Sequence, residues 1–228
     1  MNRKRGFTLV EMLIVIAIVG TLVALLLPAI QSARQSALKT SCSNRMRQVG
    51  LAMTMFCDAN ESRFPKNAHA GAGKSWIYTM APYLEDMDVV RICPLDPNAD
   101  LRLKNKQTSY VISGYITSAS QATSVLEMRK LKAPSRTITV CEGSNQRSVS
   151  NLGAEHTHPW NWFSAANITA GTVWTEALKE IQPDQHMGNS ANYLYADAHV
   201  EAISSIDLRN RAEAGDNFAL PEKGGMTP

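Results

Sequence analysis

The feature that most constrains this chain is one long apolar segment close to its N-terminus. Residues 7–27 form a stretch of 21 residues in which Glu11 is the only charged side chain. As a helix this stretch would be about 31 Å long, which matches the roughly 30 Å hydrocarbon core of a bilayer. Later segments are shorter or more polar. The sequence therefore predicts a single membrane-spanning helix.

A cleaved secretory signal is the competing interpretation of this segment. Such a signal would also have basic residues before the apolar run, and residues 30–33 offer small side chains near a possible cleavage site. The run is longer, however, than the roughly 7–15 apolar residues usual in such signals. An ionised carboxylate inside the run would also cost about 2.5–3.5 kcal/mol at mid-membrane. Glu11 is therefore expected to have a functional partner.

Residues 5–15, RGFTLVEMLIV, strongly resemble the cleavage and methylation signal of type IV prepilins and pseudopilins. The resemblance covers the N-terminal 30 residues. It implies that a prepilin peptidase removes a short basic leader by cutting between Gly6 and Phe7. It also implies N-methylation of the new Phe7 amine. In an assembly, the Glu11 carboxylate can pair with the Phe7 ammonium of the next subunit, so that two buried charges offset each other.

Pro28 closes the apolar run, and a proline inside a helix removes one backbone hydrogen bond. A kink or local unwinding is therefore expected over residues 24–28. Beyond this point apolar side chains recur every three or four residues, which is typical of an amphipathic helix that buries one face. The stripe consists of Leu38, Cys42, Met46, Val49, Met53 and Phe56.

These patterns divide the chain into four predicted parts. They are a cleaved leader (1–6), a transmembrane helix (7–30), an amphipathic stalk helix (31–58) and a globular head (59–228). Few strands and scattered short helices in the head indicate an α+β fold class. The expected architecture is a pilin-like lollipop, in which a long N-terminal helix packs on a small antiparallel sheet. Strands are predicted at 110–116, 136–141, 191–195 and 199–203, and short helices at 76–84, 173–181 and 206–214.

A second resemblance lies in the head. Residues 186–200 look like the C-terminal hallmark of a large bacterial group of pilin-like proteins, in which a histidine precedes an Asp-Gly pair. Residues 42–45 and 93–96 carry the same resemblance nearer the N-terminus. Ala198 replaces the glycine after Asp197. The turn is therefore expected to differ, since alanine resists the positive φ that glycine accepts.

Two groups of residues in the head could be interpreted as metal sites. His156 and His158 would lie on one face of a strand, but zinc would need further ligands, and neither a Cys-x-x-Cys nor a His-Glu-x-x-His motif supplies them. A polar or aromatic surface loop is the favoured interpretation. Asn189, Asn192 and Asp197 offer oxygen ligands for Ca²⁺, which major pseudopilins similar to this chain use near the C-terminus. These three residues lack the spacing of an EF-hand, and no other cofactor is expected.

A catalytic set can also be sought among His186, Asp197 and His199. No nucleophile motif such as Gly-x-Ser-x-Gly accompanies these residues. We therefore expect them to form a hydrogen-bonded cluster in a hairpin, and we expect no enzymatic activity.

Four cysteines leave the redox state of the head open. Cys93 and Cys141 both fall in the head and could form a disulfide. Their bridge would close a loop of about 48 residues and contribute about 4 kcal/mol. The alternative is that all four cysteines are buried free thiols.

The charge distribution bears on partners and location. Residues 59–228 carry 16 basic and 18 acidic side chains, so no nucleic-acid partner is expected and DNA uptake is disfavoured. Arg3, Lys4 and Arg5 favour a cytoplasmic N-terminus, which places the head in the periplasm. The chain would then be single-pass in the cytoplasmic membrane, and at the cell surface or in a periplasmic filament after assembly.

The favoured function is a structural subunit of a type IV pilus or a type II secretion-like pseudopilus. The partners implied by the resemblance are other pilin-like subunits in a homo- or hetero-filament, the prepilin peptidase, an inner-membrane assembly platform and the lipid bilayer. The alternative is a membrane-anchored periplasmic binding protein or enzyme that uses a pilin-type export signal.

Overall fold

A computed structural model describes residues 8–66 and 74–221 of the chain. The chain divides into two compact units, Met1–Leu38 and Lys39–Pro228. A single helix, α1 (Leu9–Ala59), contributes residues to both units. The predicted long helix is therefore confirmed over the described residues. It is continuous through Pro28, so the local unwinding expected there is not observed, whereas a kink stays a prediction.

Over its described residues, the second unit combines the C-terminal part of α1 with short helices and four strands. Its remaining α-helices are α2 (Met87–Val90), α3 (Ala99–Lys104), α4 (Gly114–Thr117), α5 (Pro159–Trp162), α6 (Ala165–Ala170), α7 (Val173–Leu178) and α8 (Ser205–Glu213). Its strands are β1 (Tyr110–Ile112), β2 (Ile138–Glu142), β3 (Ser190–Tyr195) and β4 (Val200–Ser204). Single 3₁₀ turns or short 3₁₀ helices lie at Trp76–Tyr83, Met128–Lys130, Pro134–Arg136 and Leu152–Glu155.

The four strands form one sheet in chain order, each antiparallel to the next. Cys141 in the second strand lies opposite Val111 on one side and Tyr193 on the other. The predicted α+β class with a small antiparallel sheet is confirmed, as is the C-terminal hairpin. Strand β1 is shorter than expected because the chain turns into α4 at Gly114 instead of continuing as a strand.

One face of the sheet packs against α1 within the second unit. Four residues of the predicted apolar stripe have at most 1% of their surface exposed, and they share a core with strand residues such as Val140 and Leu194. A β-carbon at Gly50 would lie 2.6 Å from Leu194 Cδ1 and 3.1 Å from Ala198 Cα, so glycine permits the close approach of α1 to β3. The four buried stripe residues are Cys42, Met46, Val49 and Met53.

The opposite face of the sheet is covered by α5, α7 and α8. Trp162, Ala177 and Leu208 from these helices form a second core with Cys141 and Tyr193. Successive side chains of a strand point to opposite faces. Neighbouring residues of β2 therefore belong to different cores. This alternation determines on which side of the sheet the cysteine and the carboxylate of that strand lie.

The turn between β3 and β4 differs from the expectation drawn from the sequence. Ala198 adopts a φ of 68°, so the turn keeps the left-handed conformation even though alanine replaces glycine. Backbone hydrogen bonds from Tyr195 N to His199 O and from Ala198 N to Tyr195 O hold the turn. The ladder hydrogen bonds of the hairpin thus offset the strain of a left-handed alanine, which typically costs about 1–2 kcal/mol.

We expect Gly114→Ala to destabilise the second unit by about 3 kcal/mol. A β-carbon at Gly114 would lie 2.1 Å from the carbonyl oxygen of Thr157 and 2.7 Å from the Trp160 ring. Backbone cannot withdraw without breaking the hydrogen bond from Thr157 N to Ile112 O, and overpacking costs about 1–3 kcal/mol even where side chains can adjust. Denaturant unfolding of the detergent-solubilised chain would measure the change.

Gly20→Ala is the matched control for this substitution. No atom lies within 4 Å of the β-carbon that it would add. Equal unfolding midpoints for Gly114→Ala and Gly20→Ala would contradict the close packing at Thr157.

Candidate functional site

The first turn of α1 is organised by Thr8 and Glu11. The backbone N and Oγ1 of Thr8 donate hydrogen bonds to Glu11 Oε2 at 2.8 and 2.7 Å, and Glu11 N donates to Thr8 Oγ1 at 3.3 Å. This reciprocal pattern is a capping box, in which a threonine and a glutamate three residues later satisfy the free amides of a helix start. Glu11 therefore has a local structural role in addition to any role in assembly. Gly6 and Phe7 lie outside the described residues.

The apolar part of α1 in the first unit is unburied. None of the most apolar part of this helix is buried within the chain. Every large apolar side chain from Leu9 to Ile30 is exposed, with Leu13 at 54% as an example. The helix is long and apolar enough to cross a membrane. The Pro28 position lies near the end of this exposed stretch.

Four chemically reactive side chains converge in the interior of the second unit. The Sγ atoms of Cys42 and Cys93, a carboxylate oxygen of Glu142 and a ring nitrogen of His186 all lie within 4.8 Å of one another. Glu142 Oε1 is 2.8 Å from Cys42 Sγ, 3.6 Å from Cys93 Sγ and 2.5 Å from His186 Nε2. All four residues are buried. We call these residues the Cys-Cys-Glu-His cluster.

Four separate segments of the chain bring the Cys-Cys-Glu-His cluster together. Cys42 faces the sheet from α1, and Glu142 ends β2 on the face that α1 covers. Cys93 lies in the turn after α2, where its backbone N donates to Ser109 Oγ at 2.9 Å. His186 precedes β3, and its backbone exchanges hydrogen bonds with Ser190. Each side chain is therefore held by backbone structure and not by the cluster alone.

Further polar groups surround the Cys-Cys-Glu-His cluster. Asn192 donates its backbone N to Glu142 Oε2 at 3.1 Å, and its side-chain Nδ2 lies 3.0 Å from His186 Nε2. The Tyr110 hydroxyl lies 3.5 Å from Cys42 Sγ. Both Asn192 and Tyr110 are buried. The cluster is thus enclosed by groups that fix the orientation of its members.

Burial and mutual contact shift the pKa values of two members of the cluster. Burial, with further contributions from Cys93 and Glu142, raises the pKa of the Cys42 thiol well above its usual value. Burial alone would lower the pKa of His186, but its hydrogen bonds with Cys42 and Glu142 outweigh burial and raise it to about 9. Near neutral pH these groups therefore keep their protons, and Glu142 Oε1 receives hydrogen bonds from Cys42, Cys93 and His186.

The comparison with protein families bears directly on the N-terminal segment. Residues 1–27 match the family model described as a prokaryotic N-terminal methylation motif. The matched residues include Glu11 and most of the unburied apolar helix. The chain is a type IV pilin-like protein.

A second family match covers the start of the head. Residues 31–122 of this pilin-like protein match the family model described as a protein of unknown function (DUF1559). This match contains Cys42 and Cys93, two members of the Cys-Cys-Glu-His cluster. Neither the curated proteins nor the solved structures contained a match to the chain. The predicted resemblance to type IV prepilins and pseudopilins is confirmed.

The three residues considered for Ca²⁺ do not come together in the pilin-like protein. Asn189 precedes β3 and Asp197 follows it, so the length of the strand separates them. The Asn192 side chain points into the interior toward His186, whereas Asp197 pairs with His199 at 2.5 Å in the exposed turn. The oxygen atoms of this trio therefore face different surroundings.

The two histidine groups of the sequence analysis also fall into separate environments. His158 Nδ1 lies 2.7 Å from Glu180 Oε1, and Trp162 Nε1 donates to Glu180 Oε2 at 2.9 Å. His186 joins Glu142, so the expected hairpin cluster contains only Asp197 and His199. The expectation that His186 belongs to the hairpin cluster is therefore wrong.

The Cys93–Cys141 disulfide that the sequence left possible is not formed in the structure, where all four cysteines are buried free thiols. Cys93 belongs to the core between α1 and the sheet, and Cys141 belongs to the core on the opposite face. The sheet itself separates the two sulfur atoms. The alternative of four buried thiols describes the structure.

Sequence reasoning missed Glu142 and did not connect the other three members of its cluster. The ligand spacings sought in the sequence were local ones, whereas neighbouring members of this cluster are separated by 44 residues or more. One signal was nevertheless present. Cys42, Cys93 and His186 each begin one of the three stretches that resemble the bacterial pilin-like group.

Proposed function

We propose that this chain is a structural subunit of a type IV pilus or a type II secretion-like pseudopilus, assembled through α1 after removal of its leader. The observation that carries the proposal is the helical stretch from Leu9 to Ile30, which is apolar, unburied within the chain and contains one acidic residue near its start. An apolar surface of this size must be covered by lipid or by other proteins. Helices of neighbouring pilin-like subunits would cover it in a filament.

In the proposed assembly, the charge of Glu11 determines how one subunit aligns with the next. A carboxylate in an apolar environment needs a cationic partner, because an unpaired buried charge is strongly unfavourable. The methylated Phe7 amine of the next subunit is the partner that we propose. The basic leader would hold the N-terminus in the cytoplasm until the prepilin peptidase cuts after Gly6, with the head in the periplasm and the inner-membrane assembly platform as the site of polymerisation.

The competing function is a membrane-anchored binding protein or enzyme. Its head would need convergent polar groups that a ligand can reach. The strongest convergence of chemical groups in the described part of the head is the Cys-Cys-Glu-His cluster, whose four side chains are buried. Because these groups are enclosed, a role in stabilising the fold is favoured, and contact with a substrate is disfavoured. The enclosure thus supports the proposal of a filament subunit.

The proposal is tested by N-terminal mass spectrometry combined with shear fractionation of the native cells. The wild-type chain should begin at N-methylated Phe7, and shearing should release it with other filament proteins. Gly6→Val should retain the leader and remain in the membrane fraction, since a branched side chain at the scissile bond hinders the extended conformation that a protease requires. Asp100→Ala should behave as wild type, because Asp100 is exposed and lies in α3, outside the helix through which the subunit is proposed to assemble.

Two results would overturn the proposed function. One is a wild-type protein that keeps its leader in cells with an active prepilin peptidase. The other is a processed wild-type protein that occurs only as membrane monomers and never in the sheared fraction.

A further inference from the structure

The Cys-Cys-Glu-His cluster contains the donor atoms of a metal centre. Its two sulfur atoms, one imidazole nitrogen and one carboxylate oxygen are the ligand types that Zn²⁺ takes in proteins. Soft thiolates disfavour Ca²⁺ and Mg²⁺, which require oxygen ligands. Among the described residues, this is the group of histidine, cysteine and acidic side chains that comes close enough to hold an ion.

The spacing of the donor atoms suits a four-coordinate ion. A tetrahedral zinc with ordinary bond lengths places its ligand atoms roughly 3.3–3.8 Å apart. The Cys93 Sγ to Glu142 Oε1 distance is 3.6 Å, and all four donor atoms lie within 4.8 Å of one another. Glu142 Oε1 is closer than this to Cys42 and His186, at 2.8 and 2.5 Å. Glu142 Oε1 would have to move away from Cys42 and His186 by up to about 1 Å for these two distances to reach tetrahedral values.

The surroundings of the donor atoms also suit a bound ion. Metal ligands in proteins are usually oriented by a second layer of hydrogen bonds. Here Asn192 N donates to Glu142 Oε2, and the Tyr110 hydroxyl is 3.5 Å from Cys42 Sγ, where it can donate to a thiolate. The thiol protons and the second imidazolium proton would leave when the ion binds, because each ligand coordinates in its deprotonated form.

We propose that Cys42, Cys93, Glu142 and His186 form a structural zinc site. The four protein ligands would fill a tetrahedral coordination sphere, which is typical of zinc ions that stabilise a fold and leave no position for a substrate. The ion would fasten the C-terminal part of α1 to β2 and to the segment before β3. It would thereby fix the sheet to the helix through which the subunit is proposed to assemble. The zinc site itself does not depend on the proposed filament function.

The first test is the zinc content of the full chain, purified in detergent without chelators or metal-affinity resin. Wild-type protein should contain close to stoichiometric zinc. Cys93→Ser should bind zinc at least about tenfold more weakly and lose it to a competing chelator that leaves the wild-type zinc in place, since loss of even an outer partner typically lowers metal affinity 10- to 100-fold. Cys141→Ser is the matched control and should keep its zinc, because Cys141 is a buried cysteine beside Glu142 on the opposite face of the sheet.

A second test needs no variant and remains decisive if Cys93→Ser does not fold. Wild-type protein is stripped with a chelator, and Zn²⁺ or Co²⁺ alone is added back. Zinc should raise the apparent Tm by about 10 °C at a free concentration roughly a thousand times the dissociation constant. Co²⁺ should give the intense visible absorption and the sulfur-to-metal charge transfer of a tetrahedral thiolate site.

Each contrary result has a definite meaning. Wild-type protein that contains no zinc, and whose Tm and Co²⁺ spectrum do not respond to added metal, would overturn the proposal. Equal zinc in wild type and Cys93→Ser after exposure to the competing chelator would do the same by excluding Cys93 as a ligand. A Cys42–Cys93 disulfide in metal-free wild-type protein would identify the cluster as a redox pair instead. None of these results would alter the filament test, which reads leader removal and shearing.

Discussion

Glu11→Gln is expected to abolish incorporation into filaments while leaving a processed protein in the membrane. The substitution removes the negative charge but keeps a side chain that can close the capping box with Thr8, since glutamine serves there as well as glutamate. The start of α1 should therefore survive. The Phe7 ammonium of the neighbouring subunit would lose its partner, and breaking a buried ion pair costs about 3–5 kcal/mol. At each subunit contact, this corresponds to a change of at least about a hundredfold in the association constant.

Thr8→Ala separates helix capping from charge pairing. It removes the hydroxyl that donates to Glu11 Oε2 at 2.7 Å but leaves the carboxylate in place. Its cost should be about 1 kcal/mol, the usual value of a lost cap. Shear fractionation and immunoblotting of both variants would measure filament and membrane pools. Normal filaments from Glu11→Gln, or equal loss in both variants, would refute the charge-pairing role of Glu11.

Asp96→Ala is expected to destabilise the head by about 3–5 kcal/mol, the cost of leaving one partner of a buried ion pair unpaired. Asp96 Oδ2 lies 2.7 Å from Arg102 Nε, and the two side chains are 5% and 0% exposed. The same oxygen accepts a hydrogen bond from Ser109 Oγ at 2.7 Å, and Ser109 in turn accepts one from Cys93 N. The substitution therefore strands a buried guanidinium and loosens the turn that holds Cys93.

The measurement is denaturant unfolding of the detergent-solubilised chain, followed by tryptophan fluorescence. Asp100→Ala in α3 is the matched control, because Asp100 is exposed and lies only four residues away in the sequence. Its cost should stay within about 0.5 kcal/mol, as for most surface substitutions. A loss below about 1 kcal/mol for Asp96→Ala would mean that Arg102 finds another partner or water.

Local patterns in the sequence were sufficient for the N-terminal part of the molecule. The apolar run predicted the unburied helix, and the three- or four-residue spacing predicted which face of α1 is buried, because helical periodicity depends only on neighbours along the chain. The capping role of Glu11 could also have been found, since Thr8-x-x-Glu11 is itself a local motif. The strong resemblance of these residues to the prepilin signal masked this simpler function.

Long-range contacts in the head could not be obtained in this way. The sequence suggested Cys93 and Cys141 as a pair because both lie in the head. Which face of the sheet each side chain occupies depends on strand register, and a shift of one residue moves every side chain to the other face. The register places Cys141 in one core and Glu142 beside Cys42 in the other. The sequence therefore left a disulfide and free thiols as alternatives, and the structure contains free thiols.

The sequence by itself determined the membrane-spanning helix, the pilin-like N-terminal signal and the α+β class, since each follows from local patterns along the chain. Only the tertiary structure decided that Cys42, Cys93, Glu142 and His186 meet at one point, because four distant segments must fold before their side chains converge. It also decided the left-handed turn at Ala198, where the hairpin overrides the local preference of alanine. Residues that are close together in the sequence determine a helix, whereas a buried cluster forms only when the whole head is packed.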